Sequence, residues 1–151
     1  MLFRFGTKAD FSLMTKEPDL ALKGLALAMK VTNVSKAVIA IKKTKVKAVE
    51  SMKEAIKKYP ELNITIAELE DFYPQGWEVE VLRKACGVDA QGCLPCSKGF
   101  IQINVNTLRA IYLACAKNQT VDYLYMVISG EVNEPSLIKT RIGAPDRKSV
   151  V

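Results

Sequence analysis

The chain has 151 residues, 49% hydrophobic and 25% charged, with 22 basic against 16 acidic side chains and a formal charge of +6. That length supports one domain with a real core, and no apolar run approaches the roughly 20 residues that cross a bilayer. Histidine is absent, which excludes Ser-His and Cys-His catalytic pairs and removes the commonest metal ligand. The first ten residues are short of a signal peptide and carry charges. A cytoplasmic location is therefore expected, with the four cysteines reduced.

Thr15 is the expected cap of a helix reaching about residue 30, with Pro18 in its first turn and Leu20, Leu22, Leu25, Leu27 and Met29 as its apolar side. The run Ala37-Val38-Ile39-Ala40-Ile41 reads as a strand buried on both faces. Thr44 then caps a helix along which Val46, Val49, Met52, Ile56 and Tyr59 recur every three or four residues, and Pro60 stops it. Residues 63–67 read as the next strand. Residues 78–86 form a short helix with Val79, Leu82 and Cys86 inward and Gly87 as a left-handed stop. A buried strand follows over residues 100–103. Asn106 caps a helix to about residue 117, with Leu108, Ile111, Tyr112 and Cys115 on one side and Cys115 facing the core. Residues 124–128 and 137–142 are the last strands, and Gly130 turns the chain after the first of them. Residues 146–151 read as a disordered tail. The βαβ order predicts a parallel sheet with a right-handed crossover.

Lys42, Lys43, Lys45, Lys47, Lys53, Lys57 and Lys58 crowd one stretch. A basic helix can meet nucleic acid. The better reading is a solvated helix face, because Glu50 and Glu54 lie among the lysines at i,i+4 spacing to Lys58 and no aromatic residues interleave as base-stacking platforms.

The segment from residue 73 to 107 carries the functional signal. It reads Tyr73-Pro74-Gln75-Gly76-Trp77-Glu78, then Gly92-Cys93-Leu94-Pro95, then Gly99 and Ile103-Asn104-Val105-Asn106-Thr107. Pro and Gly mark tight turns, and Asn and Thr cap helices or bind ligands from a strand end. Two helix N-termini approached by short loops can hold an anionic cofactor.

This ordered set resembles the RnfC family of flavin- and iron-sulfur-bearing electron-transfer subunits, which are related to the flavin subunit of respiratory complex I. The flanks agree over roughly residues 10–145, in Pro18-Asp19-Leu20 through Gly24-Leu25, in residues 37–45, and in Ser129-Gly130-Glu131-Val132 with Arg141-Ile142-Gly143. The proline-reductase-associated carriers of amino-acid-fermenting anaerobes are a similar branch. The resemblance implies an α/β fold: a Rossmann-like three-layer βαβ domain with a parallel sheet over residues 1–120, then strands beginning a β-grasp module over residues 121–151. It implies electron transfer between a nicotinamide or other donor, FMN and iron-sulfur centres, with other electron-transfer subunits or domains as partners. Neither nucleic acid nor direct membrane insertion is expected, though the parent could lie peripheral to a membrane complex. A non-catalytic scaffold that keeps the fold without flavin is the alternative.

By the same resemblance, Gly76 and Glu78 lie against the flavin ring near the nicotinamide path, and Asn104 and Thr107 contact the flavin phosphate. Trp77 stands where complex I relatives carry the first of two acidic residues, so only Glu78 carries over. Read from the residues alone, Gly76 only turns the chain, Glu78 favours a helix start by its charge, and Asn104 satisfies a loop. The family's upstream glycine-rich loop and Glu-Cys-Glu-Pro segment are absent, and Asp10 aligns just after them. The chain thus reads as a fragment or remnant, inactive alone, with FMN held weakly or not at all and iron-sulfur clusters in the parent only. Cys93 and Cys96 form a C-x-x-C with Cys86 seven residues earlier. Unreactive thiols are the favoured reading over a redox pair or a metal site, because zinc would need two further soft ligands.

Overall fold

A computed structural model describes residues 2–4, 8–71, 73 and 77–145, with side chains from Ala9 onward. Gly76, an expected ring contact, and residues 146–151, the expected disordered tail, lie outside the described residues.

Four short strands form one parallel sheet. They are β1 (Leu2–Arg4), β2 (Ala37–Lys42), β3 (Ile64–Leu69) and β4 (Gln102–Asn104), in the order β3-β2-β1-β4. In register, Ile39 pairs with Ile66 and with Phe3, and Phe3 pairs with Ile103. β2 is fully buried at Ala37, Ile39, Ala40 and Ile41, as a strand covered on both faces must be.

The helices are α1 (Lys8–Lys16), α2 (Pro18–Thr32), α3 (Val46–Ile56), α4 (Glu78–Cys86) and α5 (Val105–Lys117). Leu13, Met14, Leu22, Leu25, Ile39, Ile41, Met52, Val105 and Leu108 make one core on the α1, α2, α3 and α5 side. Val81 and Leu82 of α4 make a smaller one with Ala40, Leu69 and Ala90 on the other. The result is a three-layer α/β arrangement. The last strands, β5 (Tyr123–Ile128) and β6 (Ser136–Arg141), form a separate antiparallel pair.

α2 and α5 approach so closely that a Cβ on Gly24 would stand 1.8 Å from the Leu108 carbonyl oxygen. Only a glycine lets the two backbones meet there. Both helices end on asparagine in the left-handed region, Asn33 at φ 53° and Asn118 at φ 50°, a conformation asparagine tolerates better than most residues.

Several expected caps are corrected. Thr15 does not cap α2. It lies in the last turn of α1, where its hydroxyl donates to the Phe11 carbonyl at 2.7 Å. Glu17 is the N-cap of α2 without a side-chain bond, and Pro18 opens the helix, where its missing N–H costs nothing. Thr44 does not cap α3 either; Lys45 holds that position, and the Thr44 hydroxyl donates to Asp71 at 3.0 Å. Val46, expected in the core, is 56% exposed at the start of α3. Cys115 is exposed, because α5 is buried over its first turn at Val105 and Leu108 and its last turn lies at the surface. The sequence pattern does not announce β1 or α1, which are short elements without a clean period.

Candidate functional site

In an open parallel sheet, a crevice forms beyond the C-terminal strand ends where the strand order reverses. Here the reversal lies between β1 and β4: the chain steps outward from β1 to β2 and β3, then returns to the opposite side of β1. α1 follows β1, and α5 follows β4 without an intervening residue.

Asn104 is the last residue of β4 and the N-cap of α5. Its Oδ1 accepts the Asn106 backbone N–H at 2.8 Å, which satisfies one donor of the open first turn. The capping expectation is thereby corrected by two residues. Asn106 is not the cap. Its side-chain amide donates instead to the Asp10 carboxylate, and the Asn104 amide lies at 3.5 Å from the other Asp10 oxygen.

Asp10, which sequence comparison marks only by its alignment, has a structural role here. It is 1% exposed and is the buried charged residue of the described core. A buried carboxylate is tolerable only when donors surround it. This one lies in the first turn of α1 and receives amides from the first turn of α5, so two positive helix ends favour its charge. The signal available in sequence is the single acidic residue in an otherwise apolar and small stretch, Ala9-Asp10-Phe11.

Thr107 is exposed in the first turn of α5. By helix geometry the N–H groups of Val105 and Thr107 have no carbonyl partner inside the helix. A 13-residue helix start with amides, an exposed hydroxyl and a favourable dipole can receive a phosphate group. Asn104 and Thr107 therefore share one corner at the head of α5.

Glu78 opens α4 and is exposed, with Glu80 two residues on. Glu80 is paired with Arg83 at 2.6 Å, and the hydrogen bond from that guanidinium holds the Glu80 carboxyl below its ordinary range. Trp77 is the N-cap, 62% exposed, and contributes no capping bond. The Tyr73 ring, 87% exposed, stands edge-on to it with centroids 6.5 Å apart.

Five of the seven lysines at residues 42–58 pair with acids, while Lys45 lies over the Phe11 ring at 5.8 Å. Lys42 pairs with Asp71, Lys43 with Glu70, Lys53 with Glu68 at 2.7 Å, Lys57 with Glu54 at 2.6 Å and Lys58 with Asp19 at 3.1 Å. Lys58 thus reaches α2 instead of Glu54, because α3 has ended before it. The hydrogen bond from Lys42, followed by that from Thr44, pulls the Asp71 carboxyl below its ordinary value.

Cys93 and Cys96 are both exposed, around the buried Pro95 of a single 3-10 turn over Pro95–Lys98. The Cys93 thiol lies 3.4 Å from the Ala90 carbonyl. Leu94 between them is extended, at ψ 145°. Cys86 is partly buried, and burial pushes its thiol up. Among the described residues no three Cys, Asp or Glu side chains converge as a metal cluster would need, and no helix is long and apolar enough to cross a membrane.

Residues 5–113 match the profile of the Nuo51 FMN-binding domain. An RnfC-type component of the Na(+)-translocating ferredoxin:NAD(+) oxidoreductase complex of Acetobacterium woodii is 30% identical over 139 residues, which is 91% of this chain and 31% of that protein. Its counterpart in the proton-translocating ferredoxin:NAD(+) oxidoreductase complex of Clostridium ljungdahlii is 30% identical over 144 residues, 94% of this chain and 31% of that one. The cobalamin reductase PduS of Salmonella typhimurium is 29% identical over 137 residues, 90% of this chain and 30% of the relative. A polypeptide of an air-oxidized NAD+-reducing [NiFe]-hydrogenase superposes with a TM-score of 0.75 at 22% identity, covering 99% of this chain and 31% of the hydrogenase polypeptide. The chain thus spans about a third of the length of these relatives.

Proposed function

The chain belongs to the Nuo51 FMN-binding domain family, and from that premise we propose that it serves RnfC-like electron transfer as part of a flavin-binding domain. The observation that carries the proposal is the start of α5 at the point of strand-order reversal, where Asn104, Thr107 and the first-turn backbone N–H groups of a 13-residue helix meet. In this reading Asn104 and Thr107 hold the FMN phosphate, and Gly76 and Glu78 border the ring. The residues fit the phosphate end of such a ligand: the Asp10 charge is turned onto the amides of Asn104 and Asn106, while the Thr107 hydroxyl is exposed. Bound FMN would supply the exchange of electrons singly or in pairs; the protein's part is to bind and orient it.

The amide pair then has a positional role. Asn104 caps the helix and so aims the first-turn N–H groups. Asp10 fixes both amides from beneath. The ion pairs of Lys42, Lys43, Lys53, Lys57 and Lys58 favour a solvated, charge-balanced face over a nucleic-acid surface, and electron-transfer subunits or domains are the partners in this reading, with a nicotinamide dinucleotide as a donor. Residues 121–151 are assigned to the start of a β-grasp unit, separate from the flavin side at residues 1–120. The parent acts at the cytoplasmic face, peripheral to a membrane complex, and iron-sulfur clusters belong to that parent.

The test compares FMN with riboflavin, which lacks the phosphate. Equilibrium dialysis should show FMN held more tightly by about tenfold, the worth of one charge-assisted hydrogen bond. Thr107→Val should shrink that preference. Equal affinity for both ligands would remove the phosphate from this corner.

A further inference from the structure

The lysine run at residues 42–58 shows how this chain usually handles a surface cation: five of those lysines stand within 3.1 Å of a carboxylate. Lys16 and Lys139 are handled differently. Among the described residues neither has a carboxylate within 4.0 Å. Lys139 has the Tyr123 ring, 4.7 Å from its Nζ. A ring face contributes roughly 0.5–1 kcal/mol at an exposed position and leaves the formal charge in place. The acid next to Lys16 in sequence, Glu17, is turned to Arg109 at 3.4 Å.

The two lysines come from distant parts of the chain, the last turn of α1 and the interior of β6. They line one cavity of about 320 Å³. Its wall is of mixed character. Leu13 and Leu137 supply apolar surface from the same two elements, and Ser12 and Tyr125 bring hydroxyl groups. Close-packed layers leave few voids larger than a water molecule. This space is at the lower end of small-molecule sites, roughly 300–1,000 Å³, which join an apolar lining to a few convergent polar groups.

Charge selects the occupant. Two ammonium groups without acids, at the wall of a space this small, give it a positive potential. A cation is repelled from it, and a neutral molecule leaves both ammonium groups without an ionic partner. An anion with an apolar body meets both halves of the wall. Its head reaches Lys16 and Lys139, and its body lies against Leu13, Leu137 and the Tyr125 ring.

We propose that this cavity binds a small organic anion, a carboxylate or phosphate ester with an apolar or aromatic body, and that the bound anion clamps the β5–β6 pair to α1. The site stands apart from the flavin reading, in which neither lysine takes part.

Benzoate and phenyl phosphate are titrated into the full chain by calorimetry, and deuterium exchange of the β5 and β6 amides is followed with and without them. Benzamide is the uncharged counterpart, and inorganic phosphate is the head without a body. At least one of the two organic anions should bind at millimolar concentration and slow hairpin exchange several-fold; the tighter one identifies the head group. Benzamide and inorganic phosphate should bind about tenfold more weakly or not at all. Lys16→Gln and Lys139→Gln should each weaken the better anion about tenfold, the worth of one charge-assisted contact. Lys16 is exposed and outside any ion pair, so Lys16→Gln should melt with the parent and keep the test readable even where Lys139→Gln loosens the hairpin. Lys53→Gln, which removes a paired surface lysine, should leave the titration unchanged. Equal binding of benzamide and benzoate refutes the charge selection. Equal binding of inorganic phosphate and phenyl phosphate refutes the apolar contact. Parent-like binding by Lys16→Gln and Lys139→Gln, or no binding of either organic anion at about 10 mM, overturns the site.

Discussion

Asn104, Asn106 and Asp10 form a polar cluster around a buried carboxylate, and each should show it in stability. Asn104→Ala removes a helix cap and should cost about 1 kcal/mol. Asn106→Ala withdraws a donor from a carboxylate that is 1% exposed, and an unsatisfied buried group costs about 1–3 kcal/mol. Because both amides serve Asp10, the double variant should depart from additivity; chemical denaturation of the three proteins measures this. Asp71 gives a pH signature. Its carboxyl is held low by the Lys42 hydrogen bond and then by Thr44. A depressed folded value adds stability above the unfolded pKa of about 3.9 and loses it as pH falls through the lower folded value. Melting temperatures taken from about pH 5 down to about pH 3 should therefore fall less steeply in Asp71→Asn than in the parent.

Among the elements, α2 and α5 are the pair with least room. Gly24→Ala places a Cβ against the Leu108 carbonyl oxygen, and a backbone acceptor has no rotamer in which to escape. The helices must separate, so the loss should reach about 3 kcal/mol or more, at the upper end of overpacking costs. The lysine face behaves oppositely. Lys53 and Lys57 are 54% and 69% exposed in their ion pairs, and replacing both with Gln should change stability by less than about 0.5 kcal/mol. The elements legible in sequence are those with a clean period or a hard stop. α4 runs over Glu78–Cys86 as its pattern predicts, with Gly87 in the left-handed region at φ 69°, and β2 is readable as a continuous apolar run. The corrected caps share one cause. Thr15, Thr44 and Asn106 are all good capping types, but each has a stronger partner: a helical carbonyl, Asp71 and Asp10. Of the proposed site, the placement of Asn104 and Thr107 at a strand end and helix start is legible because Asn-x-Asn-Thr closes a strand. Asp10 is not, since its burial depends on side chains 94 and 96 residues away.

Across the whole molecule, the antiparallel pair is held more lightly than the parallel sheet. Tyr123, Leu124, Tyr125 and Met126 of β5 are all 38–48% exposed, and Arg109 lies over the Tyr125 ring at 5.6 Å beside a cavity of about 320 Å³. A two-stranded sheet with little buried surface opens readily. Amides of β5 and β6 should exchange with deuterium well before those of β2 and β3, and uniform protection across both sheets would contradict this. The position of β1 bears on how the chain assembles in time. Leu2 pairs with Val38 and with Gln102, so β1 can close on β2 early, while its other edge stays unpaired until the distant β4 leaves the ribosome. Through that interval the half-built sheet carries an open edge, a ready template for another chain. Long-range parallel closures of this kind are slow. The hazard for the newborn protein is therefore strand capture by a neighbour during synthesis, and it ends when β4 arrives and locks β1 between its partners.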